Sequence, residues 1–289
     1  MTDICAMVKL VLLCLAIIIV IIHPSHGQEI IHRQQVYKEI NEKSLTVEIY
    51  SPAYEHSKLR PAIAFFHGGG WTSGSPMDFE EICQWFTSRG WKTFSFQYRL
   101  STENKGSKPE ITPVESVKDA RSAIRWLRKN SKDLMIDTNK IVTSGQSAGG
   151  QLALATLLVD EINETTDDLS ISPHPNSIIL YSACVNTVIP WCEYLMPNQH
   201  ETLWTISPYH NLKSGLPPII AFHGEDDLVA DFWTVVYFQK KAQQMGNQIE
   251  LITIPEKEHY LGTDDRFSGL LTEDILKKTI SFLIKHQLN

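Results

Sequence analysis

Residues 145–150 read Gly-Gln-Ser-Ala-Gly-Gly, so that Ser147 has a glycine two positions before it and another two positions after it. A short apolar run, 141–143, precedes the segment, and a helical pattern begins at Ala148. A sharp turn from strand to helix needs small residues where the backbone segments lie close together. Such a turn exposes the serine side chain at the carboxyl end of a sheet. The segment therefore predicts a reactive Ser147 above a parallel sheet.

The remaining chain alternates short apolar runs with amphipathic stretches, which is typical of an α/β protein with a mainly parallel central sheet flanked by helices. We predict strands at 45–50, 62–66, 93–98, 141–143, 177–181, 218–222 and 249–254, and helices at 77–89, 113–129, 148–159, 231–245 and 272–285. Strand 45–50 is expected at the sheet edge. The long aromatic stretch 182–216 interrupts the alternation, and we expect a small cap-like insertion that roofs or rims a cleft.

The amino terminus has the pattern of a targeting segment. The apolar run 10–22 is shorter than the roughly 20 residues of a membrane span, and it follows Lys9. We predict a signal peptide over 1–27 and a single catalytic domain over 28–289, which implies a secreted or periplasmic protein. The alternative is an uncleaved membrane anchor formed by 10–22.

Charge and cysteine content further limit the classes of protein and the binding partners that are expected. The chain has 289 residues and a formal net charge of −7, without a long basic run, so no nucleic-acid partner is expected. Outside the predicted signal the cysteines are Cys83, Cys184 and Cys192. In an oxidising compartment Cys184 and Cys192 could pair, whereas the alternative is three buried thiols. The oligomeric state is not predicted.

Three consecutive glycines follow the strand that ends at Phe66, within the segment 67–71, His-Gly-Gly-Gly-Trp. Glycines let the backbone turn its N–H groups into a site, where they stabilise the oxyanion of a tetrahedral intermediate. We expect Gly69 and Gly70 to be such donors, together with Ala148. His67 is expected to hold the loop by hydrogen bonding.

An acid and a base follow later strands in the order that suits Ser147. Asp227 follows the strand ending at Phe222, and His259 follows the last strand. All three side chains should meet at one edge of the sheet, with His259 as general base and Asp227 as the acid that orients it. Asp226 is the next candidate for the acid. No cluster has metal-ligand spacing, so neither a metal nor another cofactor is expected.

The segments 67–71, 145–150 and 223–229, with His259, resemble bacterial serine esterases of the α/β-hydrolase superfamily. They are similar to hormone-sensitive-lipase-like carboxylesterases, and closer to the exported acetyl-xylan and feruloyl esterase-like group. The resemblance implies the α/β-hydrolase fold and the triad given above.

Two differences from the lipase-like group favour the exported acetyl-xylan and feruloyl esterase-like group. Gln146 stands where the lipase-like group usually has Asp, and 28–45 is too short for that group's large helical cap.

The expected activity is hydrolysis of short-acyl, acetyl or feruloyl esters through an acyl-enzyme, on a small molecule or a polysaccharide. Trp71, Trp191 and Trp204 are the candidate substrate contacts, although Trp71 could equally be packing. The same triad would also serve an amidase, a formamidase or a peptidase. A non-catalytic binding protein on a hydrolase frame is the remaining alternative.

Overall fold

A computed structural model describes residues 20–22, 29–40, 42–53, 58–101, 110–262 and 271–289. Within these ranges nine strands form one sheet in the order β1-β2-β3-β5-β4-β6-β7-β8-β9. The strands are β1 Val20–Ile22, β2 Ile30–Ile40, β3 Lys43–Pro52, β4 Arg60–Phe66, β5 Lys92–Phe96, β6 Ile136–Gln146, β7 Ser177–Tyr181, β8 Ile219–Gly224 and β9 Ile249–Ile254. In this sheet order, the strands from β5 to β9 are parallel to their neighbours. The pairs β1–β2, β2–β3 and β3–β5 are antiparallel. The prediction of a mainly parallel sheet is confirmed.

Helices cover both faces of this sheet. They are α1 Glu80–Thr87, α2 Pro113–Lys129, α3 Ala148–Leu158, α4 Pro190–Leu195, α5 His200–Thr205, α6 Phe232–Gln244 and α7 Glu273–Lys285. The buried side chains of α2, α3 and α6 belong to one apolar cluster, and those of α1 and α7 to a second. Alternate residues of β4 feed the two clusters, which is why this strand reads as an unbroken apolar run. No helix in the described ranges is both long and apolar enough to cross a membrane.

The amino-terminal side of the sheet differs from the prediction. Strand 45–50 was expected at the edge, but β3 pairs with β2 on one side and β5 on the other. Strand β2 was not predicted, because its side chains are mostly polar and half-buried and it lacks a clear apolar alternation. The predicted signal segment lies outside the described residues, apart from Val20–Ile22, which pair with β2.

A group of buried charges ties β2 to α2, and we call its members Lys38, Arg99, Asp119 and Glu164 the ion cluster. Lys38 Nζ lies 2.6 Å from Asp119 Oδ1, and Arg99 Nη2 lies 2.7 Å from Glu164 Oε2. Burial alone would raise the pKa of Glu164, but Lys38 and Arg99 outweigh it and hold the pKa below its usual value. These contacts give Arg99 a structural role.

Candidate active site

Ser147 occupies the turn between the end of β6 and the start of α3. Its backbone has φ 53° and ψ −119°, a conformation that costs a non-glycine residue on the order of 1–3 kcal/mol. Backbone hydrogen bonds hold it there: Ser147 N–H donates to Tyr181 O (3.1 Å), and Ser147 O accepts from Cys184 N–H (3.0 Å) as well as from Gln151 N–H of α3 (3.2 Å). The strained turn is therefore fixed by β7 and by the chain that follows it.

Glycines beside the serine are required by space. A Cβ on Gly149 would stand 1.9 Å from the Phe66 carbonyl oxygen, and one on Gly145 would stand 2.3 Å from the Gly149 carbonyl group. Such contacts are far inside van der Waals separation, so the ends of β4 and β6 pass α3 at a distance that only glycine permits. The crowding inferred from residues 145–150 is present in the structure.

His259 and Asp227 are joined by a short hydrogen bond. His259 Nδ1 lies 2.8 Å from Asp227 Oδ2, and both side chains are buried. A carboxylate only accepts, so Nδ1 carries the proton and Nε2 is left with a free lone pair. Asp226, the alternative acid, is exposed and stands outside this pair. The structure thus brings His259 to Asp227.

The Asp227 carboxylate receives further donors. Its Oδ1 accepts from the N–H groups of Val229 and Ala230, each at 2.9 Å. Its Oδ2 also lies 3.1 Å from Nε2 of His223. Burial would raise the pKa of Asp227, but the hydrogen bonds from His223 and His259 outweigh it and hold the pKa well below its usual value. The carboxylate therefore stays charged.

His223 is a site residue that was not predicted from the sequence. Its Nε2 lies 2.7 Å from Ala230 O as well as near Asp227, so one N–H spans both acceptors. The only signal was its position, four residues before Asp227 at the end of β8. Among eleven histidines, that position alone does not distinguish a partner of the acid.

The glycine-rich segment 67–71, here named the oxyanion loop, is anchored through its carbonyl groups. His67 Nδ1 donates to Gly68 O (2.8 Å), and Tyr98 Oη donates to His67 O (2.8 Å) and lies 3.3 Å from Gly68 O. The His67 ring stacks on Tyr98, with centroids 4.2 Å apart. Burial lowers the pKa of His67, which favours the neutral ring. The holding role predicted for His67 agrees with this geometry.

The next carbonyl of the loop is held by the turn that follows. Gly69 O accepts from Thr72 N–H (3.0 Å) and Ser73 N–H (3.1 Å). In a planar trans peptide the N–H points opposite to the carbonyl of the preceding residue. Fixing the carbonyls of Gly68 and Gly69 therefore aims the N–H groups of Gly69 and Gly70 away from those anchors.

One cavity, of about 370 Å³, collects the predicted residues. It is lined by Gly69, Gly70, Trp71, Ser73, Ser147, Cys184, Ile189, Trp191, Val229, Ala230, His259 and Tyr260. Ser147 and His259 thus face the same space, beside two of the three predicted donors. Ala148, the third, begins α3 directly after Ser147.

The three predicted substrate contacts have different positions. Trp71 lines the cavity but is also packed in the core, 2% exposed, and its indole donates to Gln151 Oε1 at 3.1 Å. Trp191 lines the cavity from α4, within the insertion 182–216. Trp204 is not among the lining residues, which corrects the prediction for it. Because α5 turns Leu203 inward, the neighbouring Trp204 is left 52% exposed, with its ring on His210.

The cysteines outside the predicted signal are free, buried thiols. Cys184 lines the cavity, and burial raises its pKa to about 12, so it stays protonated at neutral pH. Cys184 and Cys192 are not bonded to each other. Across the described ranges, no group of three or more His, Cys, Asp or Glu side chains could hold a metal ion.

Comparisons with known proteins agree with the fold and the site. The family described as BD-FAE matches residues 47–192, which include the oxyanion loop and Ser147. Thermogutta terrifontis esterase 2 superposes with a TM-score of 0.79 at 33% identity, over 88% of this chain and 94% of that chain.

Two curated relatives are also esterases. An arylesterase of Saccharolobus solfataricus is 34% identical over 44% of this chain and 39% of its own length. The carboxylesterase NlhH of Mycobacterium tuberculosis is 25% identical over 65% of this chain and 62% of its own length. The chain thus spans less than two thirds of either relative.

A parallel sheet, a strained serine turn and a histidine–carboxylate pair at one cavity define a serine esterase of the α/β-hydrolase superfamily. Within that superfamily, this chain belongs to the BD-FAE family.

Proposed function

We propose that the protein hydrolyses carboxylic esters with short acyl groups, with Ser147 as nucleophile, His259 as general base and Asp227 as the orienting acid. The observation that carries the proposal is the single cavity onto which Ser147 and His259 open, with His259 Nδ1 bonded to Asp227 at 2.8 Å. With Nδ1 protonated, Nε2 is the nitrogen free to accept the serine proton.

The reaction follows from these proton positions. Ser147 Oγ attacks the ester carbonyl while His259 Nε2 takes the hydroxyl proton, and the charged Asp227 stabilises the imidazolium that forms. His259 then returns the proton to the departing alcohol, which leaves an acyl group on Ser147. Water, activated by the same nitrogen, releases the acid and restores the serine.

The negative oxygen of each tetrahedral intermediate needs donors that are already in place. We assign this role to the N–H groups of Gly69, Gly70 and Ala148. The carbonyl anchors of the oxyanion loop support the assignment, because they fix two of the donor peptides before substrate binds. One such donor is worth roughly 3–4 kcal/mol of the barrier.

The cavity supports a short acyl group. Its volume is about 370 Å³, near the lower end of ligand sites, and Trp71, Ile189 and Val229 give it apolar walls. The related Thermogutta esterase 2 has been solved with propionate and with butyrate bound. We therefore expect acetyl to butyryl esters to be preferred over longer ones.

The alcohol part is proposed to be a sugar unit of a polysaccharide. Trp191 lines the cavity and its ring stacks on that of Tyr194 with centroids 5.5 Å apart; the two side chains are 44% and 49% exposed, and such aromatic faces suit the C–H face of a sugar ring.

We also propose that 28–289 is the catalytic domain and that a signal peptide over 1–27 directs export. The apolar run 10–22 supports this, and amino-terminal sequencing of the mature protein tests it.

The test compares wild type with Ser147→Ala on p-nitrophenyl acetate, butyrate and octanoate. We expect turnover of the two short esters, weak turnover of octanoate, and loss of at least about 10⁴-fold in the variant. A fluorophosphonate probe should label wild type only. Mass spectrometry of products from acetylated and feruloylated xylan then identifies the acyl group. Equal rates for both proteins, or a preference for amides, would contradict the proposal.

A further inference from the structure

The half-exposed Trp191 makes a specific contact with the oxyanion loop. Its indole Nε1–H donates to the carbonyl oxygen of Gly70 at 3.1 Å. A Cβ on Gly70 would stand 3.0 Å from the same nitrogen, so the ring lies directly against the glycine. The bond joins two segments that are far apart in sequence, the loop after β4 and helix α4 of the insertion 182–216.

This contact completes a series of carbonyl anchors. The carbonyl of Gly68 is held by His67 of the loop, with Tyr98 after β5 at 3.3 Å, and the carbonyl of Gly69 is held by Thr72 and Ser73, which directly follow the loop. The carbonyl of Gly70 is held from the insertion instead. In the described part of the chain, Trp191 is the sole donor that reaches it. The Gly70–Trp71 peptide plane thus depends on a residue outside the loop.

The loop needs such anchors because its backbone is strained. Gly69, Gly70 and Trp71 have φ values of 106°, 59° and 61° in succession. Trp71 has a bulky side chain in a region that L residues rarely adopt. A released Gly70–Trp71 peptide could rotate toward a more favourable conformation, and glycine at its amino side gives it the freedom to do so.

The insertion also holds the loop from the buried side. Trp71 Nε1 donates to Gln151 Oε1 (3.1 Å), and Gln151 Nε2 donates to Ile206 O (2.8 Å). Gln151 lies on α3, one turn after Ser147. The insertion is therefore linked to the loop at two points, indirectly through the buried Gln151 of α3 and directly through the half-exposed Trp191.

We propose that Trp191 is a positioning residue for the oxyanion loop. Its indole N–H fixes the Gly70–Trp71 peptide, which limits rotation about ψ of Gly70 and so holds the backbone on the carboxyl side of the Gly70 N–H donor. The insertion is then part of the catalytic apparatus as well as a wall of the cavity. This inference rests on the proposed ester hydrolysis.

The test replaces the indole with a ring that cannot donate. Trp191→Phe keeps an aromatic side chain and removes the N–H, while Trp233→Phe makes the same change at a 58% exposed tryptophan of α6 outside the cavity lining. For p-nitrophenyl acetate we expect Trp191→Phe to lower kcat by about 10-fold, less than the 10²–10³ of a direct donor. KM should stay within about 2-fold, because the ring still lines the cavity.

A trifluoromethyl ketone, which forms a tetrahedral adduct with a reactive serine, separates positioning from general damage. Its inhibition constant should weaken by the same factor as kcat, with an unchanged Tm, and Trp233→Phe should match wild type throughout. If the wild type is active and Trp191→Phe keeps the wild-type kcat and ketone affinity, the inference about Trp191 is wrong while the proposed function stands. Inactive wild type would contradict the proposed function instead.

A measurement independent of activity tests the contact itself. In ¹⁵N–¹H spectra the indole resonance of Trp191 is identified by its absence in Trp191→Phe. We expect this N–H to exchange with solvent more slowly than that of Trp233, although 44% of Trp191 is exposed. Exchange as fast as that of Trp233 would show that no such bond forms in solution, and the inference would then be wrong.

Discussion

Nε2 of His223 lies 3.1 Å from Oδ2 of Asp227, the same oxygen that accepts the hydrogen bond of His259. The acid of the proposed triad is therefore held between two imidazoles. Because Nε2 of His223 also lies 2.7 Å from Ala230 O, the second imidazole fixes the turn after β8 as well as the carboxylate.

His223→Phe should weaken both the turn and the triad. The variant removes a donor from a buried carboxylate and from Ala230 O, and each lost bond to a buried acceptor costs about 1–3 kcal/mol. We expect lower stability in urea and a kcat reduced by about 10-fold, with partial recovery in His223→Gln, which keeps an N–H donor. His200→Phe is the control, since that side chain is 72% exposed. Wild-type kcat in His223→Phe would exclude a positioning role.

Asp227→Asn and Asp226→Asn distinguish the two candidate acids. Asp227 is buried and bonded to His259, whereas Asp226 is exposed. An amide at 227 presents the wrong hydrogen-bonding pattern to His259, so we expect kcat to fall by about 10⁴-fold with little change in KM. Asp226→Asn should keep kcat within about 2-fold of wild type. Steady-state kinetics on p-nitrophenyl butyrate distinguishes the two candidates. A larger loss of kcat in Asp226→Asn than in Asp227→Asn would identify Asp226 as the acid.

Gly149→Ala should prevent correct packing of α3 on the sheet. Its Cβ would stand 1.9 Å from Phe66 O, a backbone atom that cannot move aside. We expect a loss of at least about 4 kcal/mol of unfolding free energy, or insoluble protein. Gly215→Ala is the control: apart from its chain neighbours, no atom of the described residues lies within 4 Å of the added Cβ, so this variant carries only the strain of a φ of +74°. Denaturant unfolding of both variants provides the measurement, and equal stabilities would show that the turn can relax.

Glu164→Gln should change how stability depends on pH. The folded pKa of Glu164 is held below its usual value of about 4.3, so its ionised form stabilises the fold fully above that pH. This contribution is lost as the pH falls through the folded pKa. We expect the variant to be about 2 kcal/mol less stable at pH 7, because Lys38 and Arg99 lose a charged partner, and the difference to shrink toward pH 3.

Urea unfolding at pH 7, 5, 4 and 3 follows this difference. Glu273→Gln is the control, because its side chain is 77% exposed and its ion pair with Lys277 contributes under about 1 kcal/mol. A constant difference between wild type and Glu164→Gln across the series would show that the charge of Glu164 does not stabilise the fold.

Several elements follow from local sequence because their physical cause is local. The capping residue Thr112 marks the start of α2, where its hydroxyl accepts from Val114 N–H at 3.3 Å. The glycines around Ser147 encode the tight turn because no larger residue fits there. The meeting of Asp227 and His259 can likewise be predicted, because each follows a strand and parallel strands end at the same edge of a sheet.

Other features depend on contacts between distant segments. Strand β2 is polar and half-buried, so only its pairing with β3 identifies it. Trp191 and Trp204 belong to the same aromatic insertion, yet α4 turns the first toward the cavity while α5 leaves the second in solvent. Composition cannot separate them, because the orientation of each short helix is set by what it packs against.

The α/β class, the turn that carries Ser147 and the chain order of the proposed triad can be predicted from the amino-acid sequence, because each depends on neighbours along the chain. The folded structure is needed to establish that Asp227 rather than Asp226 reaches His259, that His223 shares the carboxylate, and that Trp191 contacts Gly70. These contacts join groups more than twenty residues apart or on opposite sides of a turn. Their distances are fixed by packing of the whole domain, which no local pattern encodes.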